Sequence, residues 1–122
     1  MAAVRYLVQD VDRSIAFYTE VLGFELEQQM GAAFARVASG DLTVWLSGPA
    51  SSAARPMPDG RVPGPGGWNR LVLEVADIEA RVAALRSAGA TFRNEILTGP
   101  GGRQVVVDDP DGNPIELFEA RR

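Results

Sequence analysis

The sequence predicts an α+β fold: paired βαβββ modules forming a curved mixed sheet with a concave cleft. Three observations lead there. A strand-like run, a helix-like run and three more strand-like runs follow one another in that order, and the order then repeats. Displacing the first half by 67 residues lays Val4, Tyr6, Val8 and Asp10 on Leu71, Leu73, Val75 and Asp77, a repeat of element order more than of letters. A Gly/Pro-rich stretch separates the copies. The expectation is one domain over 1–122, with half-modules at about 3–47 and 69–120 and a linker at 48–68.

The elements follow in order. Val4 to Val8 has strand composition, and Asp10 or Asp12 is placed to cap a helix through its carboxylate. Val11, Ile15, Tyr18 and Leu22 recur at helical spacing, Phe17 and Val21 widen the apolar stripe, and Gly23 supplies a left-handed terminator. Strands are expected at 24–29, 33–38 and 42–47, the last two joined by Ser39-Gly40-Asp41. In the second half, residues 69–75 read as a strand and Asp77 as a cap. Ile78, Val82 and Leu85 mark one helical face, and Gly89 ends the helix. Strands are expected near 91–97, 103–107 and 114–119, the last pair separated by the turn at 109–113. The linker reads either as a flexible tether or as a lid on a cleft rim.

Composition narrows the chemistry. With 122 residues, 46% of them hydrophobic, the chain can bury a core. A net charge of -4 disfavours nucleic-acid and anionic-membrane partners. There is no Cys and no His, which removes disulfides, thiolate chemistry, imidazole metal sites and histidine bases. The opening MAAVRYLVQD has Arg5 and Asp10 where a signal peptide needs its apolar core, so the cytoplasm is the expected location.

Alternation divides each strand into two faces. Leu71, Leu73 and Val75 take the helix side of their strand, leaving Arg70, Val72 and Glu74 opposite. Ile115 and Leu117 likewise assign Glu116 and Phe118 to the second face. Val44 and Leu46 leave Thr43, Trp45 and Ser47 there. The concave face is thus expected to carry Trp45, Arg70, Glu74, Glu116 and Phe118, with Phe34 lining it and Trp68 at its rim or at an interface. Charges on an apolar sheet need partners. Arg70 with Glu116 or Glu74 reads either as a self-satisfying ion pair or as the polar anchor of a ligand. Trp45 reads either as core filler or as a stacking platform.

Two segments carry a resemblance. VQDVDRSIAFYTEVLGF (8–24) closely resembles the opening signature of the vicinal-oxygen-chelate superfamily, which groups glyoxalases, bleomycin-resistance proteins and extradiol dioxygenases. DDPDGNPIELFE (108–119) resembles its closing signature, in the correct half and at the expected distance. In metal-using relatives the ligands come from the first strands of both halves, the fourth strand and the last strand. By the resemblance these positions correspond to Ala3, Arg70, the neighbourhood of Trp45, and Glu116. Only Glu116 keeps a ligand-competent side chain, so no metal and no cofactor is expected.

The resemblance then implies the antibiotic-binding branch: metal-independent sequestration of a small aromatic or cationic molecule by a homodimer. In that reading Trp45, Phe118, Trp68 and Phe34 supply apolar contact, and Glu74, Glu116 and Arg70 fix polar groups. The alternative is a cofactor-free lyase, isomerase or cyclase. There Glu116 or Glu74 would abstract a proton and Arg70 would stabilise an oxyanion. A metalloenzyme with an unusual site and a partner-binding protein that retains only the fold are the remaining alternatives.

Overall fold

The computed structural model describes residues 2–121. The chain divides into two compact units, residues 1–65 and 66–122.

In the first unit, β1 (Val4–Leu7) leads to helix α1 (Val11–Ala16), followed by β2 (Glu25–Met30), β3 (Phe34–Ser39) and β4 (Leu42–Ser47). The sheet order is β1-β4-β3-β2, with β1 parallel to β4 and the other pairs antiparallel. Asp10 caps α1, its carboxylate accepting from the Arg13 N–H at 3.1 Å. The expected helix over 11–22 is α-helical only to Ala16. Phe17–Val21 is a π-helical turn, in which the Leu22 N–H reaches back to the Phe17 carbonyl at 3.1 Å. The wider turn accompanies full burial of the Tyr18 ring, whose edge-to-face partners are Phe17 and Phe24. Gly23, at φ 81°, then ends the helix. Val37, Val44 and Leu46 are fully buried on the side covered by α1 and Tyr18.

The second unit repeats the plan. Strand β5 (Leu71–Glu74) leads to α2 (Ile78–Ser87), then β6 (Thr91–Phe92), β7 (Leu97–Gly99), β8 (Gly102–Asp108) and β9 (Pro114–Ala120). The order is β5-β9-β8-β6, β7 also pairs with β8, and β5 runs parallel to β9. Asp77 caps α2 through the Ala80 N–H at 3.1 Å. Ile78, Val82 and Leu85 bury one stripe of α2, and Leu71, Val105, Val107, Ile115 and Leu117 are buried with them. Each such side chain contributes about 1.5–3 kcal/mol when withdrawn from water.

The continuous strand expected at 91–97 is instead two short pieces. Between them the Asn94 side-chain oxygen accepts from the Val106 N–H at 2.9 Å, standing in for a backbone carbonyl and interrupting the ladder.

The two βαβββ repeats give an α+β fold, and neither sheet closes into a barrel. Among the described residues no helix is long and apolar enough to cross a membrane.

The connecting stretch has local structure. In the first unit, Gly48 donates to the Ala33 carbonyl at 2.8 Å, and residues 57–61 form a turn closed by Met57 and Arg61 at 2.7 Å. In the second, Gly66 donates to the Asn113 side chain at 2.9 Å.

Candidate functional site

The face of each sheet turned away from its helix is crossed by one central rung of three residues. In the first unit that rung is Arg5 on β1, Trp45 on β4 and Arg36 on β3, paired directly in register. Alternation puts them there because Tyr6, Val44 and Val37 take the buried side. The Arg5 guanidinium lies 5.0 Å from the Trp45 ring centroid and donates to the Ser47 hydroxyl at 3.0 Å. The Phe34 ring meets Trp45 edge-to-face at 5.7 Å. Arg36 stands 3.3 Å from Glu27. Among the described residues no carboxylate pairs with Arg5. The Trp45 indole N–H is buried and, among the described residues, has no hydrogen-bond partner. Such an orphan costs about 1–3 kcal/mol.

In the second unit the equivalent rung is Val72 on β5, Glu116 on β9 and Val106 on β8. A carboxylate between two valines needs a countercharge, and Arg70, just ahead of β5, provides it. Its Nε and Nη2 reach Glu116 Oε1 at 3.0 and 2.9 Å, with the side chains 28% and 11% exposed. Both contacts fall on Oε1, so among the described residues Oε2 has no donor. The next rung is Glu74, Phe118 and Gln104. Glu74 is exposed and does not pair with Arg70, which resolves the two expected ion pairs in favour of Glu116.

Trp68 stands apart from these rungs. It is 71% exposed, and its ring packs on the Arg93 guanidinium at 4.5 Å. Arg93 also bonds Asp108 at 2.7 Å and the carbonyls of Gly67 and Gly112 at 2.8 and 2.9 Å, tying residues 67–68 to the β8–β9 turn. A recess of about 590 Å³ near Asp77, Thr98 and Arg103 lies elsewhere in this unit. Its guanidinium is engaged by Glu119 at 3.0 Å and Glu79 at 3.4 Å.

Sequence reading placed Trp45, Phe34, Arg70, Glu116, Glu74 and Phe118 on these faces but passed over Arg5, Arg36 and Gln104. The signal was available. Alternation on β1, β3 and β8 assigns all three to the open side once Tyr6, Val37 and Val105 are taken as core.

A divalent metal of the kind used by enzymes sharing the sequence signatures does not fit the donors of either unit. Ala3 offers no donor, the Trp45 N–H is not a ligand, and Glu116 is already held by a guanidinium. Among the described residues no three His, Cys, Asp or Glu side chains are grouped to hold an ion.

Comparison with known proteins agrees with the architecture. The chain is 31% identical to the lactoylglutathione lyase of Haemophilus influenzae, over 92% of this chain and 86% of that protein. Among solved structures, a superfamily member from Sphaerobacter thermophilus matches with a TM-score of 0.76 and 30% identity, covering 98% of both chains. TnmS3, an antibiotic-binding protein from a Streptomyces species, matches with a TM-score of 0.72 and 28% identity, covering 99% of this chain and 97% of the other. The profile of the Glyoxalase/Bleomycin resistance protein/Dioxygenase superfamily matches residues 1–117, and the chain belongs to that superfamily.

Proposed function

We propose that this protein binds a small aromatic molecule without a metal and acts by sequestering it, as an antibiotic-resistance protein of the bleomycin-binding type would. One observation carries the reading. Where metal-using relatives place ligands, the first unit has an indole edged by Phe34 and the second a carboxylate already neutralised by Arg70. In the first unit Trp45 and Phe34 offer a stacking surface; in the second, Phe118 and Val72 give that unit's face its own apolar surface. Glu116 Oε2, free to accept a hydrogen bond, and Gln104 supply polar selectivity. A cationic guest is the poorer fit, because the Arg5 guanidinium beside the Trp45 ring would repel it. The similarity to an antibiotic-binding protein supports the same direction.

The protein is proposed to work as a homodimer. Strand β2, at the edge of the first sheet, is exposed along its whole length, with Leu26 at 45% and Met30 at 61%, and is available to a second copy. Sedimentation equilibrium tests this, and a monomer at micromolar concentration would count against it.

Calorimetric titration of chelator-treated protein with bleomycin-type and planar aromatic drugs tests the binding. At least one planar compound is expected to bind stoichiometrically, and Trp45→Ala to weaken it by about tenfold or more. Uniform absence of binding would overturn the reading.

A second reading is favoured by the unengaged Glu116 Oε2 and by the likeness to a lyase: cofactor-free proton abstraction, with Arg70 stabilising the resulting oxyanion. Turnover of a candidate substrate that disappears in Glu116→Gln supports it. Turnover retained in the Gln variants of both Glu116 and Glu74 rejects it.

A further inference from the structure

We infer that Arg5 is the receptor for a negatively charged oxygen, a carboxylate or phenolate, carried by the aromatic guest. This rests on the aromatic-binding reading above and names the class of guest.

A guanidinium has five N–H donors, and one nitrogen of Arg5, Nη1, is bound to the Ser47 hydroxyl. No carboxylate among the described residues engages the rest. The side chain is nonetheless held in place, by the indole beneath it at 5.0 Å and by Ser47. A guanidinium with one nitrogen bonded and its carbon near a ring loses less freedom when a ligand arrives than a free side chain does, which favours affinity.

The neighbours have the same sign. Arg36 flanks Trp45 from the other side, and Glu27, at 3.3 Å, offsets only that second charge. Among the described residues the rung therefore carries one positive charge with no carboxylate partner, exposed on a chain whose net charge is -4. The local field opposes the global one and selects an anion from solution. The second unit supplies the control within the same molecule. Arg70 is also an arginine beside a central rung, but Glu116 neutralises it, so it presents no comparable demand for an anion.

Geometry sets the guest's shape. A planar carboxylate can take two parallel N–H bonds from the guanidinium edge. A conjugated ring attached to it would then extend along the Trp45 and Phe34 rings, the apolar surface next to Arg5.

The test is a calorimetric comparison of three matched probes: 2-naphthoate, its neutral isostere 2-naphthamide, and cationic 2-naphthylmethylammonium. The naphthoate is expected to bind about tenfold more tightly than the amide, the cation most weakly. The preference should shrink as salt is raised. Arg5→Gln is expected to bring the naphthoate-to-amide ratio close to one, whereas Arg55→Gln, an exposed arginine outside the rung, keeps it. If the amide binds as tightly as the naphthoate to the unmodified protein, Arg5 is not an anion receptor, although aromatic binding stands. A preference that survives in Arg5→Gln likewise removes Arg5 from the role. If none of the three binds, the aromatic-binding reading fails and this inference fails with it.

Discussion

The two units use one framework for opposite purposes. In the first, the central rung places an apolar indole between two cations. In the second, it places a carboxylate between two valines. The strands that carry the rungs follow the same order in both, β1-β4-β3 and β5-β9-β8, so the contrast between the rungs lies in side chains. The residue ahead of each first strand completes it. Ala3 leaves the first rung open, whereas Arg70 closes the second with an ion pair at 2.9 Å. A repeat thus preserves strand pairing while the chemistry of the row facing away from its helix is free to change. One rung is settled by its own ion pair; among the described residues the other keeps an arginine with no carboxylate partner and a buried indole N–H with no acceptor.

Variants that break this contrast should differ widely in effect. Arg70→Ala leaves Glu116, with its side chain 11% exposed, as an uncompensated charge, and should cost roughly 3 kcal/mol in denaturant unfolding. A loss below about 0.5 kcal/mol, the range of ordinary surface substitutions, would show that the pair is not structural. Trp45→Glu gives the first rung the central residue of the second. With Arg5 and Arg36 on either side the new carboxylate is compensated, so the fold should survive by circular dichroism while aromatic affinity falls at least tenfold, about 1.4 kcal/mol. Retained affinity would move the site away from this rung. Arg93→Ala should free the Trp68 ring and cost about 1–2 kcal/mol through the lost Asp108 contact. It should leave aromatic binding unchanged, since Trp68 is packed on the β8–β9 turn rather than on either rung. Arg5→Ala is the smallest in stability, within about 1 kcal/mol, because what it loses is a partly exposed stacking contact and one hydrogen bond. A larger loss would mean that Arg5 is structural and not held for a ligand.

The sequence made the framework legible because its signals are local. Asp10 and Asp77 precede their helices as caps, Gly23 and Gly89 follow as terminators, and period-2 runs mark the strands. Alternation also identified Trp45, Arg70, Glu116 and Phe118 as face residues. What escaped depends on contacts between distant positions. The choice of Glu116 over Glu74 as partner to Arg70 is set by side-chain reach across the parallel β5–β9 pair, which no spacing along the chain encodes. The π-helical turn accompanies the packing of Tyr18 against Phe24, and the break in the strand at 91–97 coincides with one Asn94 hydrogen bond. Arg5 was visible, but a single arginine on an edge strand has no pattern to distinguish it until Trp45 is seen beneath it.

The proposed function requires that these faces bind their guest through side chains instead of a metal. It is tested most directly by calorimetric titration of chelator-treated protein with Zn²⁺, Mn²⁺, Ni²⁺ and, anaerobically, Fe²⁺. The donor set of Ala3, Trp45, Arg70 and Glu116 predicts no specific stoichiometric binding of any of them. A tight site at one ion per chain, lost in Glu116→Gln, would contradict the account and return the protein to the metal-dependent enzymes of its superfamily.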